Sequence, residues 1–151
     1  MNPSDSVLPT RIEVPDAARP GAGLSATLRD ATRALVETLF ASAAGPPSAD
    51  RVDWLIDDLD DFMARSGGRA RGLYRLCVLA ITWLAPLHIK RFGAFHGLDF
   101  ATRAEALERM ERGPLGMAVF GAKTLVSVLW FEHPANERAA GNTGGCLGGG
   151  R

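Results

Sequence analysis

The run Leu73-Tyr-Arg-Leu-Cys-Val-Leu-Ala-Ile-Thr-Trp-Leu-Ala-Pro-Leu87 decides the fold. It is the most apolar stretch of the chain, interrupted only by Arg75 and Thr82, and it lacks the apolar–polar alternation of a half-buried strand. It is shorter than the roughly 20 residues that cross a bilayer. Pro86, which has no amide to donate, is expected to close it. The reading is a central buried helix.

The flanking segments follow the same period. Upstream, Leu28, Ala31, Leu35 and Leu39 recur at helical spacing, with Val36 and Phe40 widening the stripe. Ala44-Gly-Pro-Pro47 is expected to stop this first helix, because proline restricts the residue before it. A second helix is expected from Ser48 or Asp50, either of which can cap it. Its buried face is Val52, Leu55, Ile56, Leu59, Phe62 and Met63, and Asp53, Asp57, Asp58, Asp60 and Asp61 take the solvated side. Ser66-Gly-Gly68 ends it.

Downstream, His88 to Phe100 mixes aromatics, glycines and two basic residues, and reads as an irregular connection with one short helical turn. Thr102-Arg-Ala-Glu105 has the form of a capping box opening a polar helix that runs through Glu111. Gly113-Pro114 resets the chain. Leu115 to Phe131 is apolar on nearly every side, which predicts a helix buried against several neighbours. Pro134 marks its end, and a last turn is expected over Glu137 to Ala140. About five helices and no strand pattern make the fold all-α. Its organisation is expected to be an N-terminal arm (1–23), a helical domain (24–140) and a Gly-rich tail (141–151) that orders on partner binding.

Composition narrows the function. The 151 residues suit one domain with one modest core. Seventeen basic residues balance seventeen acidic ones, so the chain lacks the excess positive charge of a dedicated nucleic-acid binder. Zero net charge also leaves little self-repulsion against association. Two cysteines, Cys77 and Cys146, are too few for a disulfide scaffold or a four-thiolate metal site. The first 23 residues lack the apolar core of a signal peptide. A cytoplasmic location is expected, compatible with export alongside a signal-bearing partner.

No candidate chemistry assembles from the sequence. His88, His96 and His133 show no metal-ligand spacing and read as loop residues, with His133 as a C-terminal helix cap. The acidic run Asp57 to Asp61 lacks the pattern of a calcium loop and reads as a solvated helix face. Gly-x-Ser-x-Gly is absent. The expectation is a non-catalytic chain with no metal and no cofactor of its own. Trp54, Trp83 and Trp130 fall on apolar faces and read as core. Trp130-Phe131, two large aromatics ending a helix before a proline turn, also suit a contact with a partner. Cys146 stands in a Gly-rich segment where a partner could bury it.

Three segments together resemble a known family. They are Leu35-Val-Glu-Thr-Leu-Phe40 with the Pro46-Pro47 break, Glu105 to Glu111 with Pro114-Leu115 and the helix to Phe131, and Phe131-Glu-His-Pro134 followed by Gly141, Gly144 and Cys146-Leu147. This order is similar to the small subunit of the gluconate 2-dehydrogenase family, which accompanies flavin-dependent oxidoreductases of the glucose-methanol-choline type. The resemblance spans about Leu28 to Leu147. It implies an accessory helical subunit that binds and stabilises an FAD-bearing large subunit, with flavin and catalytic residues on that partner. Trp130, Phe131, Pro134, Gly141, Gly144, Cys146 and Leu147 are the expected partner-binding residues. Two other classes remain open from the sequence: a carrier holding an apolar molecule or lipid between the two apolar helices, and a small enzyme using His96 or His133.

Overall fold

A computed structural model describes residues 23–133. The arm before Gly23, the expected turn over Glu137 to Ala140 and the Gly-rich tail lie outside the described residues. Among the described residues there are five α-helices and no strand beyond an isolated bridge between Ser42 and Gly45. The helices are α1 (Ala26–Leu39), α2 (Ala49–Arg65), α3 (Gly68–His88), α4 (Phe100–Glu111) and α5 (Gly116–Glu132). A short 3-10 turn, Phe95–Gly97, occupies the irregular connection. The fold is all-α.

α1 and α2 form the base of the core. Leu28, Leu35 and Val36 of α1 and Val52, Leu55, Ile56, Leu59 and Met63 of α2 are all buried. Their charged sides are joined by Arg29–Asp57 and Arg33–Asp53 ion pairs. α1 ends at Leu39, earlier than the Pro46-Pro47 break predicts. Ser42 and Gly45 exchange backbone hydrogen bonds of 2.9 Å in a tight turn that the left-handed backbone of Gly45 (φ 110°) permits, so the chain has already left the helix.

Asp60 departs from the solvated face expected of it. It is 3 % exposed, accepts the backbone N–H groups of Gly23 (3.1 Å) and Leu24 (2.7 Å), and stands 3.4 Å from the Arg29 guanidinium. The carboxylate holds the chain's approach to α1 against α2. A Cβ on Gly23 would fall 2.1 Å from the Asp60 carbonyl oxygen, so only glycine fits there. Leu24 is inserted in the core just beyond it.

α3 begins at Gly68 rather than Leu73 and runs two residues beyond Pro86, giving 21 residues. Pro86 forgoes one intrahelical hydrogen bond near the helix end, where its loss interrupts little, and its own carbonyl accepts from Ile89 and Arg91. By length and composition α3 is now long and apolar enough to cross a membrane. One of its faces packs on α1, α4 and α5 through Tyr74, Cys77, Val78, Ile81 and Ala85. Tyr74 and Thr32 share a buried 2.9 Å hydrogen bond between α3 and α1, and burial raises the Tyr74 phenol well above its ordinary value.

α4 is capped by Asp99, not by the predicted Thr102–Glu105 box. The Asp99 carboxylate accepts from the Thr102 amide at 3.1 Å and from its hydroxyl, so the helix starts two residues before Thr102. Arg103 of α4 reaches the Ala34 carbonyl and Glu37 at the end of α1, a favourable place for a cation at a helix C-terminus.

Candidate partner-binding surface

Neither α3 nor α5 is buried all round, and this is the main departure from the sequence-based expectation. On α3, Leu73, Leu76, Trp83 and Leu87 are exposed. With the half-buried Ala80 they recur at intervals of three, four, three and four residues, which places them on one face. On α5, Met117, Phe120, Val128 and Phe131 are exposed, with Gly121 and Thr124 between them. Phe62, predicted for the core, is also exposed, beside the end of α5. Trp83, read as core, is 57 % exposed.

The two stripes share one surface. The Cys77 sulfur lies 3.3 Å from the position a Cβ on Gly121 would occupy, and His88 Nε2 lies 3.3 Å from that on Gly113. The last residue of α3 therefore meets the turn that leads into α5, and Cys77, eleven residues earlier, meets Gly121 within α5, so the two helices run in opposite directions. The helices are seamed at Cys77 and Gly121. Each stripe lies beyond this seam from its helix's buried residues, so both face outward on the same side.

The residues at the end of α5 divide. Trp130 is only 8 % exposed: Phe40 stacks on its ring at 4.3 Å, nearly parallel, and the Arg51 guanidinium lies 3.9 Å from the ring centre. Trp130 is thus a fixed part of the core, not an open contact. Phe131 beside it is 67 % exposed. Pro134, Gly141, Gly144, Cys146 and Leu147 lie outside the described residues.

Polar candidates are dispersed. His88 is the last residue of α3, not a loop residue, and its Nδ1 donates to the Leu84 carbonyl at 2.9 Å. His96 stands exposed in the 3-10 turn. His133 is in the C-cap position of α5 and meets Trp54 edge-on at 4.5 Å. Glu132 instead faces Asp58 and Asp61 across a shallow groove of about 330 Å³. There the Asp58 carboxyl is raised above its ordinary range, first by partial burial and then by the nearby Glu132 and Asp61 charges. Adjacent in sequence, Glu132 and His133 point to different surroundings. Among the described residues no three or more His, Cys, Asp or Glu are grouped to hold a metal ion.

Two apolar grooves run along α5, both open to solvent. One, of about 730 Å³, lies between Glu111 and Phe131 along the outer side of the helix. The other, of about 430 Å³, is floored by Gly121, Leu125 and Leu129 and walled by Phe62 and Phe120. Both belong to the exposed face. No family model, curated protein or solved structure matches this chain.

Proposed function

We propose that this chain is a non-catalytic accessory subunit that binds and stabilises an FAD-dependent large subunit of the glucose-methanol-choline type. The observation that supports the reading is the pairing of Trp130 with Phe131. Trp130 is locked by Phe40 and Arg51, so Phe131 projects from a rigid helix end at the point where the resemblance places the partner contact. A preorganised aromatic loses little conformational freedom on binding, which is what a contact anchor requires. Phe131 and, beyond it, Pro134, Gly141, Gly144, Cys146 and Leu147 form the proposed contact.

The test is purification of the tagged full chain from its native host, with an absorbance scan of the eluate. Stoichiometric recovery of a large flavoprotein showing flavin bands is expected, and its recovery falls with Phe131→Ser. A colourless chain eluting without a flavoprotein under gentle conditions overturns the reading.

A further inference from the structure

We propose that the α3–α5 face is a self-association surface, through which two copies of this chain form a two-fold dimer. The inference is independent of the flavoprotein reading, because it uses the middle of the face and leaves Phe131 at its margin.

Area makes the first argument. Leu73, Leu76, Trp83 and Leu87 of α3, with Met117, Phe120 and Val128 of α5, are each at least half exposed. From their fractional exposures these seven side chains present roughly 800 Å², beyond the roughly 300–600 Å² of the largest apolar patch on an ordinary monomer. It also matches the about 800 Å² that each partner contributes to a stable interface.

Shape makes the second. A dimer closed by a two-fold axis needs a surface complementary to itself. The bulky side chains stand toward the two ends of the face, Leu73, Leu76 and Val128 at one and Trp83, Leu87 and Met117 at the other. The level between them carries Phe120 beside the small residues Ala80 and Gly121. A two-fold axis in the interface, parallel to the two helices and midway between them, sets each copy's Phe120 over the other copy's Ala80, so that a projection meets a gap twice. Stripes at three- and four-residue intervals on two antiparallel helices are the seam of a four-helix bundle, and two such hairpins complete one. Zero net charge opposes the approach of a second copy little.

The experiment is light scattering coupled to size exclusion on the full chain, from about 1 to about 100 μM, where mass action populates a dimer. About twice the 16.1 kDa chain mass is expected at the upper end. The double variant Leu76→Glu/Phe120→Glu, altered only at exposed positions, is expected to stay monomeric with an unchanged far-ultraviolet spectrum, and Asp30→Asn, at an exposed position of α1 on the other side of α3, to dimerise normally. A wild-type monomer throughout the range overturns the proposal, as does a folded double variant that still dimerises. A second measurement covers the case in which the double variant does not fold. Iodide quenching of Trp83 fluorescence, assigned by its loss in Trp83→Phe, falls as wild-type concentration rises if the face closes on itself; quenching independent of concentration overturns the proposal. A monomer that co-floats with phosphatidylcholine–phosphatidylglycerol vesicles, or that loses its flavoprotein when Leu76→Glu/Phe120→Glu is introduced, assigns the face to lipid or to the large subunit and also overturns it. A wild-type dimer recovered without any flavoprotein supports this inference while removing the functional reading.

Discussion

α3 is apolar on two sides, and the sides have different fates. Tyr74, Val78 and Ile81 are sealed among α1, α4 and α5, while Leu76, Trp83 and Leu87 on the same helix meet solvent. Composition does not distinguish them. What separates them is that the inner side has neighbours supplied by this chain and the outer side does not. An inner residue therefore reports on folding, and an outer one on association. A truncation on each side gives the sharpest contrast. Ile81→Ala removes packing from a fully enclosed site and is expected to cost about 2–5 kcal/mol in urea unfolding, whatever the protein concentration. Leu76→Ala is expected to lie within about 0.5 kcal/mol of wild type in dilute solution, where an exposed side chain has little to lose. Its cost grows with concentration as self-association stabilises the wild type. Equal costs at the two positions would break the distinction.

The second contrast concerns polar groups within the sealed side. Asp60→Ala leaves the partly buried amide of Gly23 and the buried amide of Leu24 without their acceptor and is expected to cost about 2–4 kcal/mol. Asp60→Asn keeps one acceptor oxygen and should cost less. Limited proteolysis checks the local part of the effect, since Leu24 is held in the core just beyond that anchor: cleavage near Gly23 should rise sharply in Asp60→Ala. The Tyr74–Thr32 bond is smaller in scale. Tyr74→Phe retains the ring and loses the phenol, so about 1 kcal/mol is expected from chemical denaturation. No loss at all would mean that the Thr32 hydroxyl finds another partner within α1.

The sequence makes the helices legible because their apolar residues keep a 3.6-residue period and glycines and prolines fall between them. Ser66-Gly67 does separate α2 from α3, and the connection between α3 and α4 does contain one short turn. The failures share a cause. Asp60 looks like its acidic neighbours until the fold brings Gly23 and Leu24 to it across 36 or more residues, and a long-range acceptor leaves no local signature. Thr102 satisfies the pattern of a cap, yet Asp99 has already taken that place with its carboxylate. A nearly all-apolar helix predicts enclosure on all sides, but five helices of this length do not supply enough neighbours to enclose both α3 and α5. A signal was present in the regular spacing of Leu73, Leu76, Trp83 and Leu87, which marks a coherent second face. For Phe131, its position next to Trp130 gave no means of telling which of the two would turn inward.

The smallest expected effect is electrostatic and lies at the edge of the apolar face. Burial, then Glu132, then Asp61 raise the Asp58 carboxyl, with Arg65 opposing them. The folded chain therefore binds this proton more tightly than the unfolded chain does. Asp58 favours folding while protonated, and that contribution is lost as pH rises from the unfolded carboxylate value through the higher folded one. Asp99 has the opposite sign: its hydrogen bonds from Thr102 lower its carboxyl, so its contribution is present above the unfolded value and lost as pH falls through the folded one. Asp58→Asn should thus raise the urea midpoint relative to wild type at pH 7 and lose that advantage toward pH 3, whereas Asp99→Asn should lower it at pH 7 and converge with wild type in acid. Because Glu132 ends α5 and lines the groove with Asp58, docking of a partner at Phe131 that further dehydrates this group should raise the Asp58 carboxyl again. The complex would then take up a proton on forming at pH values above the ordinary carboxylate range through which Asp58 titrates, an uptake absent in Asp58→Asn and measurable as a buffer-dependent heat in calorimetry. Proton release instead would place the partner's basic groups over the acidic groove rather than its apolar surface over Phe131.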